Sequence, residues 1–209
     1  MAVSMLNRRL LTLGLLAPAL VGCGKTISKA TGPVPDDMVL GNPRAKITVV
    51  EYASVACPVC GHWYKEVYPA FKAKYIDTGK IRFTYREMLV GSSGEVSAAA
   101  AGFLLARCAG NDKYFSIVDA IYNSQPGLFD DPKGVLTKIA RNNGFTEAQF
   151  TACVENPAAV EALMKRVDAN AKIDNINSTP TFIINGKSLE PGYHPLIDID
   201  AAIAAAQRS

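Results

Sequence analysis

The chain has 209 residues, 49% of them hydrophobic and 20% charged, with a net charge of +3. That composition belongs to a globular domain and excludes a disordered chain, a collagen-like chain and a coiled coil. Arg8 and Arg9 at the extreme N-terminus supply two of the three excess positive charges, no basic run follows, and no nucleic-acid partner is expected.

Residues 1–22 carry Arg8 and Arg9 followed by an almost wholly apolar stretch, Leu10 to Val21, without one acidic residue. The stretch is too short to span a bilayer as a mature helix and has the form of an export signal. Leu20-Val21-Gly22-Cys23 resembles a bacterial lipobox, in which the chain is cut before the cysteine and its thiol takes lipid. Cys23 is therefore the expected lipid attachment, holding an otherwise soluble domain at a membrane surface. The competing reading is an ordinary signal cut after Ala17-Pro18-Ala19, with Cys23 a spare thiol. Asn7-Arg8-Arg9-Leu10-Leu11 also resembles a twin-arginine export motif. Each reading places the domain outside the cytoplasm, so its cysteines face an oxidising compartment. Residues 24–45, rich in Gly and Pro, are expected to be a tether, too short for a dimerisation module.

Lys46–Tyr52 is β-branched and apolar and predicts a buried strand, interrupted in polarity only by Glu51 near its end. After a short loop comes Cys57-Pro58-Val59-Cys60, and Trp63, Val67, Tyr68 and Phe71 then recur at helical spacing. Residues 57–77 are expected to be helical, bent at Pro69. Two cysteines separated by two residues at a helix start can bridge locally. The free N–H groups of the first turn lower the thiolate pKa of the first. Strand, loop, then Cys-x-x-Cys opening a helix is the thioredoxin-like redox arrangement. A carboxylate buried beneath such a pair can move protons to and from Cys60, and desolvation raises its pKa; otherwise Glu51 is a strand-end residue facing water. Arg82 and Arg86 lie on a second predicted strand, Ile81–Leu89, and either is a candidate partner for Glu51.

From there to Thr181 no convincing strand is predicted. Helices are expected over Val96–Ala109, Lys113–Tyr122, Lys133–Asn142, Thr146–Glu155 and Pro157–Ile173. Gly110-Asn111-Asp112, Ser124-Gln125-Pro126-Gly127 and Asn142-Asn143-Gly144 read as the turns between them. Thr181-Phe182-Ile183-Ile184 reads as a strand entered through Pro180 and closed by an Asn185-Gly186 hairpin. A last helix, Pro195–Gln207, would pack back on the sheet.

Cys57-Pro58-Val59-Cys60, Glu51 and Thr179-Pro180-Thr181-Phe182 together resemble the DsbA-like thiol-disulfide oxidoreductases of the bacterial envelope, over roughly residues 40–207. The resemblance implies an α/β chain, a thioredoxin-like fold of residues 46–92 and 178–207 with a helical domain, 93–177, inserted between its two sheet halves. It implies that Cys57 is the nucleophile and forms a mixed disulfide with substrate, that Cys60 resolves it, and that Glu51 shuttles the proton. Thr179 and a cis Pro180 would hold the substrate backbone as a transient extra strand, with Val59 beside it. The best-known oxidases of the family carry His where this chain has Val59. The Cys57 thiolate is accordingly expected to be intermediate between thioredoxin, near ~7, and DsbA, near ~3.5.

Cys108 and Cys153, both in the insert, are expected to form a structural disulfide, which some members of the family carry; a second redox or metal pair is the alternative. On the chain-entropy account such a bridge is worth about 4 kcal/mol. The implied partners are unfolded or reduced secreted proteins, a membrane redox partner and, through Cys23, the membrane surface; a monomer without cofactor is expected. Two other roles compete with that of a periplasmic oxidase: a disulfide reductase or isomerase, and a Cu(I)-binding lipoprotein using Cys57 and Cys60. His62 reads as a solvated helix-face residue, His194 as a loop residue, and Trp63 and Tyr64 as either an apolar rim or core.

Overall fold

A computed structural model describes residues 36–208; the predicted signal, Cys23 and most of the tether lie outside the described residues. Two runs rich in β-branched and aromatic side chains form the centre of the sheet, β2 (Ile47–Ala53) and β3 (Ile81–Glu87), and nearly every residue of both is buried. Continuous burial, rather than alternation, is what a parallel pair covered on both faces demands. Strand β4 (Thr181–Ile184) joins β2 antiparallel, and β5 (Lys187–Ser188) closes a hairpin on it. The turn between them has Asn185 and Gly186 both at positive φ, the geometry their pairing predicts.

Residues Met38–Gly41, assigned to the tether by their composition, instead form β1, an edge strand antiparallel to β3. Four residues carry too little alternation to be read from sequence. Gly41 ends the strand because a Cβ there would sit 2.4 Å from the Ile81 carbonyl oxygen, at a φ of +81°. Among the described residues the sheet order is β1-β3-β2-β4-β5.

A parallel pair needs a crossover, and here it is helical. The single bent helix expected over 57–77 is divided into α1 (Pro58–Glu66), α2 (Tyr68–Phe71) and a π-helical turn, Lys72–Ile76. The division falls at Val67, just before the expected bend, because Pro69 occupies the first turn of α2, where its missing N–H costs nothing.

The insert packs around α3 (Ser93–Cys108), which buries Ala99, Phe103, Leu105 and Ala106. It starts earlier than its apolar pattern suggests because Ser92 and Glu95 form a reciprocal cap. Helices α4 (Asn111–Asn123), α5 (Gln125–Asp130), α6 (Pro132–Asn142), α7 (Glu147–Val154) and α8 (Pro157–Asp174) follow. Helix α5 replaces the turn expected at Ser124–Gly127: Pro126 is tolerated in a first helical turn, so a segment that reads as punctuation starts a helix. Cys108 and Cys153 are disulfide-bonded, tying the end of α3 to α7 inside the insert. Finally α9 (Leu196–Gln207) returns to the sheet with Ile199 and Ile203 buried.

Candidate active site

Strand β2 ends at Ala53, and the chain turns over Ser54–Ala56, where the Cys57 N–H donates to the Ser54 carbonyl at 3.0 Å. Cys57 is thereby delivered as the N-cap of α1 in extended conformation (φ −85°, ψ 121°), with Pro58 preset for the first helical turn. Its sulfur receives the Cys60 backbone N–H at 3.4 Å. As a thiol it donates to the Thr179 carbonyl at 3.6 Å. The Thr179–Pro180 peptide bond is cis, so the segment expected to hold substrate lies directly against the first cysteine.

Cys57 and Cys60 are both free thiols, 9% and 1% exposed. Their environments push them apart. A hydrogen bond from the Cys60 side chain, aided by the Thr179 side chain and the backbone N–H groups of Cys60 and Val59, outweighs burial and lowers the Cys57 pKa to about 6. The value is intermediate, as expected without a His at position 59, but its largest cause is the Cys60 thiol and not the helix start alone. Burial drives Cys60 the other way, well above an ordinary thiol, and its contacts with Cys57 add to the rise. At neutral pH this is one thiolate beside one thiol.

Glu51 lies in β2 between Tyr85 of β3 and Phe182 of β4. It is 1% exposed, and neither carboxylate oxygen has a hydrogen-bond partner. Burial, with the Cys57 charge adding to it, pushes its pKa up to about 8. Tyrosines surround this region: the Tyr85 and Tyr122 hydroxyls share a hydrogen bond at 2.9 Å, and Tyr64 stacks at 4.3 Å on both Tyr68 and Tyr122. The solvent-facing alternative for Glu51 is thus excluded. Arg86 is not its partner; its guanidinium binds Asp37, Asp174 and the Tyr52 hydroxyl instead.

Val59 stands 42% exposed beside the pair, an apolar surface next to Cys57. Trp63 and Tyr64 are core and not rim: both are buried, and the Trp63 indole N–H donates to the His194 carbonyl at 3.0 Å. His62 is exposed, its ring 4.9 Å from that of Tyr193. The loop carrying Tyr193 and His194 is fastened to the cis-proline segment by the Gly192 N–H on the Pro180 carbonyl, 2.8 Å. One residue escaped the sequence analysis: Gln125 of α5, whose side-chain amide reaches the carbonyls of Val55 and Cys57. Nothing in its own segment signals that contact.

The arrangement can exchange disulfides. It offers an ionisable sulfur at the start of α1 that is only 9% exposed, a second, more deeply buried sulfur that must gain or lose a proton, and a carboxyl that changes charge near neutrality. Among the described residues no group of three His, Cys, Asp or Glu side chains is placed to hold a metal ion.

A family model described as thioredoxin matches residues 34–198. A Rickettsia conorii protein named "Putative protein-disulfide oxidoreductase" is 31% identical over 182 residues, 85% of this chain and 63% of its own. The chain thus spans just under two thirds of that relative. "Disulfide bond formation protein D" of Bacillus subtilis is 26% identical over 157 residues, 73% of this chain and 69% of its own. Among solved structures, alpha-DsbA1 of Wolbachia pipientis superposes with a TM-score of 0.75 at 25% identity, covering 87% of this chain and 96% of its own. A thioredoxin-like oxidoreductase from Silicibacter pomeroyi gives 0.65 at 28% identity, covering 84% and 95%.

Proposed function

The chain belongs to the thioredoxin family, and we propose that it is a thiol-disulfide oxidoreductase of the cell envelope, donating the Cys57–Cys60 disulfide to reduced secreted proteins. One observation carries this reading: the unequal pair, Cys57 near 6 and Cys60 far above it. A thiol of pKa about 6 is mostly ionised at pH 7, which favours the reduced pair over an ordinary cysteine by about 1.4 kcal/mol, or about 30 mV for two electrons. Stabilising the reduced form makes the disulfide an oxidant. The size of the effect leaves it milder than DsbA.

In the forward reaction a substrate thiolate attacks the Cys57 sulfur, and Cys60 leaves. Glu51, protonated at pH 7 because its pKa is about 8, supplies the proton the departing Cys60 needs. A second substrate thiolate then attacks the substrate sulfur of the mixed disulfide and releases Cys57 as thiolate. The substrate has lost two electrons and gained a disulfide, the cysteine pair has gained the electrons, and an external disulfide or quinone oxidant at the membrane must remove them. Thr179 and Pro180 hold the substrate backbone across the Cys57 sulfur, with Val59 against its side chains.

The deciding measurement is the Cys57–Cys60 reduction potential against glutathione. A value of about −120 to −160 mV supports the oxidase; a value of about −180 mV, where protein disulfide isomerase sits, or of about −270 mV, like thioredoxin, overturns it in favour of an isomerase or a reductase respectively. Among the described residues no helix is long and apolar enough to cross a membrane. We assign membrane attachment to lipid on Cys23, with a monomeric domain outside the cytoplasm. Labelled palmitate should enter the wild-type chain and not Cys23→Ser; equal labelling would refute the assignment.

A further inference from the structure

The insert touches the redox turn through the side chain of Gln125. The residue is buried, and its Nε2 donates to the Val55 carbonyl and to the Cys57 carbonyl, each at 2.9 Å. Those carbonyls bracket the turn between β2 and α1, and the Cys57 carbonyl also accepts the Gly61 N–H at 3.0 Å. The other end of the amide rests against α1. A Cβ placed at Gly61 would lie 1.9 Å from Gln125 Oε1, so any larger residue at 61 must displace the amide. The roles given to Cys57, Cys60, Glu51, Thr179 and Pro180 make no use of this contact.

We propose that Gln125 is a positioning residue for the Cys57 thiolate: one amide from the insert holds the Val55 and Cys57 carbonyls and so keeps the Cys57 sulfur on the Cys60 N–H. The inference rests on the reading of Cys57 as the nucleophile. The physical basis is twofold. The amide pins the extended Cys57 backbone from which Sγ can reach the N–H groups of α1. Its two N–H dipoles also offset the negative ends of two peptide groups flanking the sulfur-bearing residue, in surroundings too dry for water to do so. Gly61 is the notch that admits the amide. The helical insert therefore sets the reactivity of a disulfide carried by the thioredoxin half.

The test is the pH midpoint of Cys57 ionisation, followed by thiolate absorbance in the full reduced-site chain with Cys108–Cys153 intact. The wild-type midpoint should fall near 6. Gln125→Ala should raise it by about one unit, a roughly tenfold loss of thiolate at pH 5. Gly61→Ala leaves the amide in the chain but pushes it away, and should raise the midpoint in the same direction by less. The double variant should match Gln125→Ala alone, because both changes act through one contact. Lower unfolding temperatures with an unmoved midpoint would make Gln125 merely structural and overturn the proposal. If Gln125→Ala does not fold, Gly61→Ala decides by itself. A wild-type midpoint near ~8.5, that of an ordinary cysteine, removes the nucleophile reading instead, and the proposal with it.

Discussion

Glu51 on β2 and Glu87 on β3 lie on neighbouring strands of one sheet, and each is only 1% exposed. Glu87 receives the Arg107 Nε at 2.6 Å and the Tyr114 hydroxyl at 2.9 Å on one oxygen, and the Arg166 Nε at 3.2 Å on the other. Glu51 receives no hydrogen bond. Burying a carboxylate is costly unless counter-charge and donors surround it. At Glu87 they do, and the residue ties the sheet to α3, α4 and α8. At Glu51 they do not, and the group retains its proton up to about pH 8. Burial alone does not distinguish the two carboxylates; the partners each finds do.

Three changes would break or sharpen that contrast. Replacing Glu87 with Leu leaves two guanidinium groups facing an apolar wall and should cost about 3–5 kcal/mol in urea unfolding; a loss below ~1 kcal/mol would mean the network is dispensable. Glu51→Gln should act in the opposite direction. The folded pKa of Glu51, about 8, lies above its ordinary 4.5, so its charge destabilises the fold increasingly from about pH 5 and fully above pH 8. The variant should therefore be more stable than wild type by about 4 kcal/mol at pH 8 and equal to it near pH 4. The same change should slow the departure of Cys60 from the disulfide by about tenfold or more in stopped-flow oxidation of a reduced peptide. Matching unfolding curves at both pH values, or an unchanged rate, would remove Glu51 from the proton path. The smallest effect belongs to the exposed pair Lys72–Asp77, 39% and 51% exposed. Lys72→Ala should shift stability by no more than about 0.5 kcal/mol, and a larger change would show that exposed pairs matter here as buried ones do.

Much of the site was legible because its chemistry is local. Cys57 and Cys60 lie within one turn of helix, and the strand before them and the Thr179-Pro180-Thr181 entry to β4 have their own short-range signatures. The insert was legible as helices from apolar periodicity. What escaped did so for identifiable reasons. Strand β1 is too short to alternate, and α5 begins with Gln-Pro-Gly, which reads as a turn. The first α3 turn is set by the Ser92–Glu95 cap ahead of its apolar face.

The amino-acid sequence by itself determined the cysteine pair and the elements that carry it, since each depends on residues a few positions apart; that Thr179 and Pro180 face Cys57, 122 residues away, followed from the family resemblance and the fold. Tertiary structure alone decided which charges are paired. Strand alternation could not choose between Arg82 and Arg86 as a partner for Glu51, and Arg86 instead joins Asp37 before the sheet and Asp174 at the end of α8. The same holds for Gln125, which meets Cys57 across 68 residues of chain. A side chain's partners across that separation depend on how the layers pack, and packing is a property of the whole sheet and insert together. For that reason the Cys57–Cys60 pair could be read from spacing, while the isolation of Glu51 and the amide holding the redox turn required the fold.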